Sequence, residues 1–145
     1  MKILVVGSGG REHAIVKKLS ESPHVDEVLC APGNGGIELD AKCYNLSATD
    51  TEGMIALARS AGAGLVFVAP DDPLALGMVD ALEAAGIRAF GPNKAAARIE
   101  GSKAFAKNLM KKYGIPSAAY EVFDDADDAK GYIRAQGAPI VVKAD

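Results

Sequence analysis

The 145-residue sequence has no tryptophan, only two cysteines and no apolar run long enough to cross a membrane. A membrane helix needs about 20 consecutive apolar residues, so we expect no transmembrane segment. The N-terminus also lacks the apolar region and the small-residue cleavage site of a secretory signal. The spacing of Cys30 and Cys43 fits no metal-binding pattern and favours buried free thiols in a reducing compartment. We therefore expect a cytoplasmic protein with no metal ligands in this chain.

Basic residues are scarce relative to acidic ones. The chain has 16 Lys and Arg against 19 Asp and Glu, a net charge of −3. Proteins that bind nucleic acid usually present a basic patch or stripe, so we expect neither nucleic acid nor a membrane as partner. The acidic block at 124–128 is typical of a solvated helix start, in which Asp124 would cap the helix and Asp127 would face its positive end.

Apolar runs alternate with helical patterns along the first 91 residues. Continuous apolar runs are typical of buried parallel strands, and they predict strands at 2–7, 26–31, 41–46, 64–70 and 87–91. Between them, Thr49 is predicted to cap a helix that Gly62 ends, and Asp72 to cap a second helix that continues to Gly86. Strands that alternate with helices indicate an α/β fold, a doubly wound parallel sheet with helices on both faces.

The pattern changes after residue 92. A short helix, a break at Gly101 and a longer helix from Ser102 to a stop at Gly114 are predicted. They are followed by a strand at 118–123, a helix at 127–137 and a strand at 139–145. A terminal apolar strand needs neighbours to pair with, so we expect the chain to be a fragment with domains at 1–100 and 101–145.

The stretch GSGGREH, residues 7–13, joins the first strand to the first helix. Glycines let a ligand approach the backbone closely, and a helix N-terminus presents unpaired N–H groups and a positive dipole end, so a phosphate is the ligand class favoured here. Arg11 would be unfavourable at that helix end unless an anion were bound. A purely structural turn remains the alternative.

A dinucleotide site is disfavoured by two departures from its fingerprint. Gly7 and Gly9 fit G-x-G-x-x-G/A, but the sixth position is Glu12 where a small residue is required. The acid that would hold the ribose hydroxyls after the second strand is also missing, since that region reads Cys30-Ala31-Pro32. An NAD-dependent oxidoreductase domain is therefore kept only as an alternative.

Two further loops follow strands at the predicted carboxyl edge of the sheet, where ligands of open α/β sheets bind. The loop APGNGG offers Asn34, and the loop APDDPL offers Asp71, a carboxylate that could accept hydrogen bonds from sugar hydroxyls or an amine. His13 is most simply an exposed or capping residue.

Six motifs in this order resemble the phosphoribosylamine–glycine ligase family, also called glycinamide ribonucleotide synthetase, over the whole chain. They are GSGGREHA (7–14), APGNGG (31–36), PDDPLALGMVDAL (70–82), FGPNKAAARIEGSKAFAKNLM (90–110), GIPSAAY (114–120) and PIVVKAD (139–145). The resemblance implies an ATP-grasp ligase of purine biosynthesis that joins glycine to 5-phosphoribosylamine, with glycine activated as an acyl phosphate. It implies a Rossmann-like pre-ATP-grasp domain followed by the truncated start of an ATP-grasp domain.

The resemblance also implies which residues meet the small-molecule substrates 5-phosphoribosylamine, glycine and ATP. Lys103 and Lys143 match the lysines expected near the ATP phosphates, and the Mg²⁺ ligands would lie beyond residue 145. The sequence departs from the family at Ala69-Pro70-Asp71, where Gly-Pro-Glu is more frequent, so the carboxylate reaches less far. The predicted substrate-binding residues are Gly9, Gly10, Arg11, Glu12, His13, Asn34, Pro70 and Asp71.

Further expectations concern the activity of the fragment, an alternative function and the oligomeric state. The fragment is expected to be inactive alone, and it contains no predicted catalytic residue. A non-catalytic sugar-phosphate-binding module is a further alternative, although the segments around Lys103 and Lys143 argue against it. The oligomeric state is undetermined, a monomeric parent being one option.

Overall fold

Five parallel strands form a single sheet in the computed structural model, which describes residues 1–144. The strands are β1 Lys2–Gly7, β2 Glu27–Pro32, β3 Lys42–Cys43, β4 Leu65–Val68 and β5 Ala89–Phe90. Their order is β3-β2-β1-β4-β5, and all four neighbouring pairs are parallel. From β1 the chain proceeds through β2 to β3 at one edge of the sheet, and it then crosses to β4 and β5 on the other side of β1. This order leaves a topological switch point between the carboxyl ends of β1 and β4.

Helices cover both faces of the sheet, so the predicted doubly wound fold is confirmed. Leu4 and Val6 point into a core packed by α2 and α4, while Ile3 and Val5 point into a second core packed by α1. This alternation follows from the two-residue period of a strand. The helices are α1 Gly10–Ser20, a 3-10 turn Ile37–Leu39, α2 Thr51–Ala61, α3 Asp71–Leu76, α4 Met78–Ala84, α5 Lys94–Gly101, α6 Lys103–Lys112 and α7 Ala126–Gln136.

The chain divides into two compact units within α5. The first is Met1–Ala97 and contains the whole sheet, and the second begins at Arg98. None of the helices within residues 1–144 combines the length and the apolar character that a membrane crossing requires.

The start of α2 differs from the prediction by one residue. Asp50, not Thr49, is the N-cap, and its carboxylate accepts a hydrogen bond from the Gly53 N–H at 2.9 Å. The Thr49 hydroxyl instead lies 3.0 Å from the Ser47 hydroxyl, so it is engaged before the helix begins. The predicted helix end at Gly62 is confirmed by its left-handed backbone.

The helix predicted from Asp72 to residue 86 is wrong in its start and in its continuity. Pro70 is the N-cap and α3 begins at Asp71, so Asp72 lies inside the first turn. Pro73 is tolerated there because the first helical N–H groups have no partner within the helix. Gly77 adopts φ of +94°, which an α-helix cannot accommodate, and it separates α3 from α4.

Within residues 98–144, the second unit lacks the two strands predicted for it. Residues 118–123 and 139–144 are irregular, and Asp145 of the predicted last strand lies outside the described residues. A strand exists only when a neighbour supplies ladder hydrogen bonds, and within residues 1–144 these segments have none, which leaves Val141 and Val142 exposed. The predicted stop at Gly114 is confirmed, whereas α7 is capped by Asp125 rather than Asp124.

Candidate functional site

The loop from β1 to α1 ends at the switch point. Gly9 is the N-cap of α1, and the first backbone hydrogen bond of the helix runs from the His13 N–H to the Gly9 carbonyl at 3.0 Å. The N–H groups of Gly10 and Arg11 therefore have no acceptor within the helix. A Cβ built on Gly10 would meet no atom within 4 Å, so the space beside Gly10 at this helix end is open. An anion can approach the backbone there.

Glu12 lies inside the loop rather than on its surface. It is only 4% exposed, and its Oε2 accepts a hydrogen bond from the Gly9 N–H at 2.5 Å. Its Oε1 is buried with no hydrogen-bond partner among the described residues. A Cβ on Gly7 would be 2.5 Å from Glu12 Cγ and 2.8 Å from Pro70 Cγ. Gly7, Glu12 and Pro70 thus close the space between the ends of β1 and β4.

Asn34 ties the loop after β2 to the loop after β1. Its Nδ2 donates to the Ser8 carbonyl at 2.7 Å, and its Oδ1 accepts from the N–H groups of Gly36 and Ile37 at 2.8 and 3.0 Å. Both ends of the amide are therefore engaged within the protein. Sequence reasoning missed this bridge to Ser8, because nothing local relates residues 26 positions apart.

Arg11 and Asp71 face each other across the switch point. Arg11 Nη2 lies 3.7 Å from Asp71 Oδ1, and the two side chains are 67% and 47% exposed. An exposed ion pair at this distance contributes about 0–1 kcal/mol, so a ligand can replace it at little cost. These are the charged groups of the predicted set that remain accessible at this edge.

His13 turns toward the turn that follows β2. Its Nε2 lies 3.0 Å from Asp40 Oδ2, and its ring packs against Gly36, where a Cβ would be 3.2 Å from Nδ1. The partner Asp40 was not predicted, since it is 27 residues away in the sequence. His13 is thus held by protein groups.

The two predicted ATP-binding lysines lie in the second unit. Lys103 Nζ donates to the Glu100 carbonyl at 2.7 Å, across the α5–α6 junction. Lys143 is exposed in the irregular segment after α7, and no acceptor for its ammonium is found within residues 1–144. Both ammonium groups can therefore be recruited by an anionic ligand without breaking an ion pair.

The two cysteines are free thiols, of which Cys30 is buried and Cys43 is partly buried. They are neighbours in register on β2 and β3, and Cys30 Sγ donates to the Gly7 carbonyl at 3.4 Å. Burial raises the pKa of Cys30 to about 12 and also raises the pKa of Cys43. No group of three or more His, Cys, Asp or Glu side chains suited to a metal ion occurs in the described part of the chain.

A separate concavity of about 400 Å³ lies at the amino end of β2. Its lining includes Asp26, Glu38, Asp40 and Lys42. At the switch point, by contrast, unpaired helix N–H groups, the Arg11 guanidinium and the Asp71 carboxylate converge.

Comparisons with known proteins identify the family of this chain. The family described as "Phosphoribosylglycinamide synthetase, N domain" matches residues 1–100, and "Phosphoribosylglycinamide synthetase, ATP-grasp (A) domain" matches residues 101–145. A phosphoribosylamine–glycine ligase of Xanthomonas campestris pv. campestris is 53% identical over 147 residues, covering 100% of this chain and 34% of the relative. One of Streptococcus pyogenes serotype M1 is 56% identical over 146 residues, covering 100% of this chain and 35% of the relative.

Solved structures are similar in fold. The phosphoribosylamine–glycine ligase of Thermotoga maritima matches with a TM-score of 0.67 and 29% identity, over 93% of this chain and 30% of that one. The biotin carboxylase domain of a thermophilic 2-oxoglutarate carboxylase matches with a TM-score of 0.66 and 20% identity, over 99% of this chain and 35% of that one. The chain thus spans about a third of the length of the curated relatives it matches. It belongs to the phosphoribosylglycinamide synthetase family.

Proposed function

We propose that this chain is the N-terminal part of an ATP-dependent ligase that joins glycine to 5-phosphoribosylamine, giving glycinamide ribonucleotide, ADP and phosphate. The observation that carries the proposal is the match of the whole chain to two consecutive domains of one family, with relatives of that name more than half identical. In this proposal residues 1–100 form the N-terminal domain and residues 101–145 begin the ATP-grasp domain.

The switch point would hold the 5-phosphate of phosphoribosylamine. Gly9, Gly10 and Arg11 border the open space at the N-terminus of α1, and Arg11 brings a guanidinium suited to phosphate oxygens. A bound phosphate removes the unfavourable interaction between Arg11 and the positive helix end. It also draws Arg11 from Asp71, whose carboxylate is then available to the sugar hydroxyls or the amine.

The remaining predicted residues would shape this site rather than bind the phosphate. Asn34 fixes the loop after β2 at the sugar side, and Pro70 sets the position of Asp71. His13 holds the start of α1 to Asp40.

The reaction needs groups that we place in the rest of the protein. The glycine carboxylate attacks the γ-phosphate of ATP and releases ADP, and the amine of phosphoribosylamine then attacks the acyl carbon and expels phosphate. Lys103 and Lys143 would offer positive charge to the ATP phosphates. Mg²⁺ would neutralise phosphate charge when bound, and its ligands would lie beyond residue 145, as the family resemblance implies.

The setting of this activity is part of the same proposal. We place the protein in the cytoplasm, a reducing compartment in which the two free thiols persist. Its partners would be the small-molecule substrates.

Calorimetric titration with ribose 5-phosphate tests the site. Arg11→Ala and Asp71→Ala should each weaken binding, Arg11→Ala by about tenfold or more because a charge-assisted hydrogen bond to phosphate is lost. The matched controls Asp72→Ala and Lys17→Ala remove exposed charges from the same two helices and should leave binding unchanged. Equal binding by all four variants and the wild type would remove the site assignment.

A further inference from the structure

We propose that Glu12 sets the ligand specificity of the loop: its side chain fills the position that a dinucleotide loop keeps small and takes the Gly9 N–H, and this limits the site to a single phosphate. The inference deepens the proposed function, on which the identity of that phosphate rests. The exclusion of dinucleotides rests on the geometry of Glu12 itself.

The strand order and the first two glycines of the loop are suited to a dinucleotide, although the acid expected after β2 is absent. The strand order β3-β2-β1-β4-β5 places the glycine loop at the switch point, where dinucleotides cross the sheet edge of such folds. Gly7 and Gly9 occupy the first two glycine positions of the fingerprint. The last small position, which allows close packing of helix on strand, is taken by Glu12.

The Glu12 side chain turns back under the loop and fills it. Its Cγ lies 2.5 Å and its Cδ 2.9 Å from the point where Gly7 would carry a Cβ, and Pro70 Cγ closes the other side at 2.8 Å. The side chain therefore stands between the ends of β1 and β4. Because Glu12 is only 4% exposed, its side chain cannot move aside without opening the loop.

The carboxylate also takes one of the donors that a diphosphate would use. The Gly9 N–H donates to Glu12 Oε2 at 2.5 Å. The N–H groups of Gly10 and Arg11 have no partner within the helix, because both residues lie in its first turn. The Glu12 carboxyl group thus already occupies one donor at the N-terminus of α1, and a diphosphate, which needs more donors than a single phosphate, loses more by it. The accessible donors are those on the outer side of the loop.

Titration with NADH, followed by nicotinamide fluorescence, tests the exclusion. Glu12→Gly and Glu12→Ala both restore a small residue at the last fingerprint position. Each should raise the affinity for NADH about tenfold or more over wild type, because one extra methylene group in a close-fitting site already changes affinity to that extent. Ribose 5-phosphate should displace the NADH. Glu12→Gln keeps the volume and an acceptor for Gly9, so it should exclude NADH as wild type does.

A second measurement uses the unmodified protein. On addition of ribose 5-phosphate, the amide resonances of Gly10 and Arg11 should shift while that of Gly9 stays in place, because Glu12 retains its hydrogen bond. Folded small-residue variants with wild-type NADH affinity, or a Gly9 amide that transfers to the phosphate, would overturn the inference. An absence of any ribose 5-phosphate response, together with NADH binding by Glu12→Gly, would instead refute the proposed function alone.

Discussion

Replacing Gly7 by alanine should destabilise the first unit more than any other glycine substitution in the loop. Gly7 has φ of +126°, and its Cβ would lie 2.5 Å from Glu12 Cγ and 2.8 Å from Pro70 Cγ. A positive φ costs a side-chain residue about 1–2 kcal/mol, and forcing a methyl into a packed site costs about 1–3 kcal/mol more. The sum, about 2–5 kcal/mol, is a large part of the stability of about 5–15 kcal/mol typical of a domain.

Gly10→Ala is the matched control, three residues away in the same loop. Its Cβ would meet nothing within 4 Å, and Gly10 is the first residue of α1. Alanine in a helix is favoured over glycine by up to about 1 kcal/mol, so this variant should be neutral or slightly stabilised. The same methyl group projects into the proposed phosphate space, so ribose 5-phosphate binding should weaken although the fold is intact.

Urea unfolding measures the free energy of unfolding of the Gly7→Ala and Gly10→Ala proteins. It is followed by far-UV circular dichroism, since the chain has no tryptophan to report by fluorescence. The reasoning would be refuted by a Gly7→Ala protein whose free energy of unfolding lies within about 0.5 kcal/mol of wild type, the range of an unremarkable surface substitution. A Gly10→Ala protein as destabilised as Gly7→Ala would refute it equally.

Three further predictions concern the helix cap, the thiols and turnover. Asp50→Ala should cost about 1 kcal/mol in urea unfolding through loss of the α2 cap, whereas Thr49→Ala should cost much less. Burial raises the pKa of Cys30 from its ordinary 9.0 to about 12. The stability that the neutral Cys30 thiol contributes is therefore full below pH 9 and falls as the pH rises toward 12. Urea unfolding midpoints between about pH 8 and 10 should consequently decline less steeply for Cys30→Ala than for wild type. The 145-residue chain alone should show no glycine- and phosphoribosylamine-dependent ATP hydrolysis in a phosphate-release assay, and measurable turnover would contradict the placement of the missing groups beyond residue 145.

The central strands could be predicted from the sequence because they are buried on both faces. Continuous apolar runs at 2–7 and 26–31 correspond closely to β1 and β2. The edge strands were predicted too long, since β3 is Lys42–Cys43 and β5 is Ala89–Phe90. A strand at an edge extends only as far as its one neighbour supplies hydrogen bonds, and that limit is not written in its own residues.

The site was predictable in its position but not in its contacts. Glycines between a strand and a helix indicate an anion-binding turn through local geometry alone, and the misfit of Glu12 to the dinucleotide fingerprint is a matter of spacing. The placement of Glu12 and Pro70 around Gly7, by contrast, brings together residues that are far apart along the chain. The same holds for the bridge from Asn34 to Ser8.

By itself, the sequence determined the α/β alternation and the family, and it predicted an anion-binding loop at 7–13, since each inference depends on residue types at short spacings. Only the tertiary structure decided which members of that loop are exposed. Packing of β1 beside β4 closes the space around Glu12 and leaves Arg11 and Gly10 facing outward, because a side chain between two strand ends must be buried while its neighbours on the helix turn away. The predicted strands of the second unit are unformed for the related reason that no strand within residues 1–144 pairs with them.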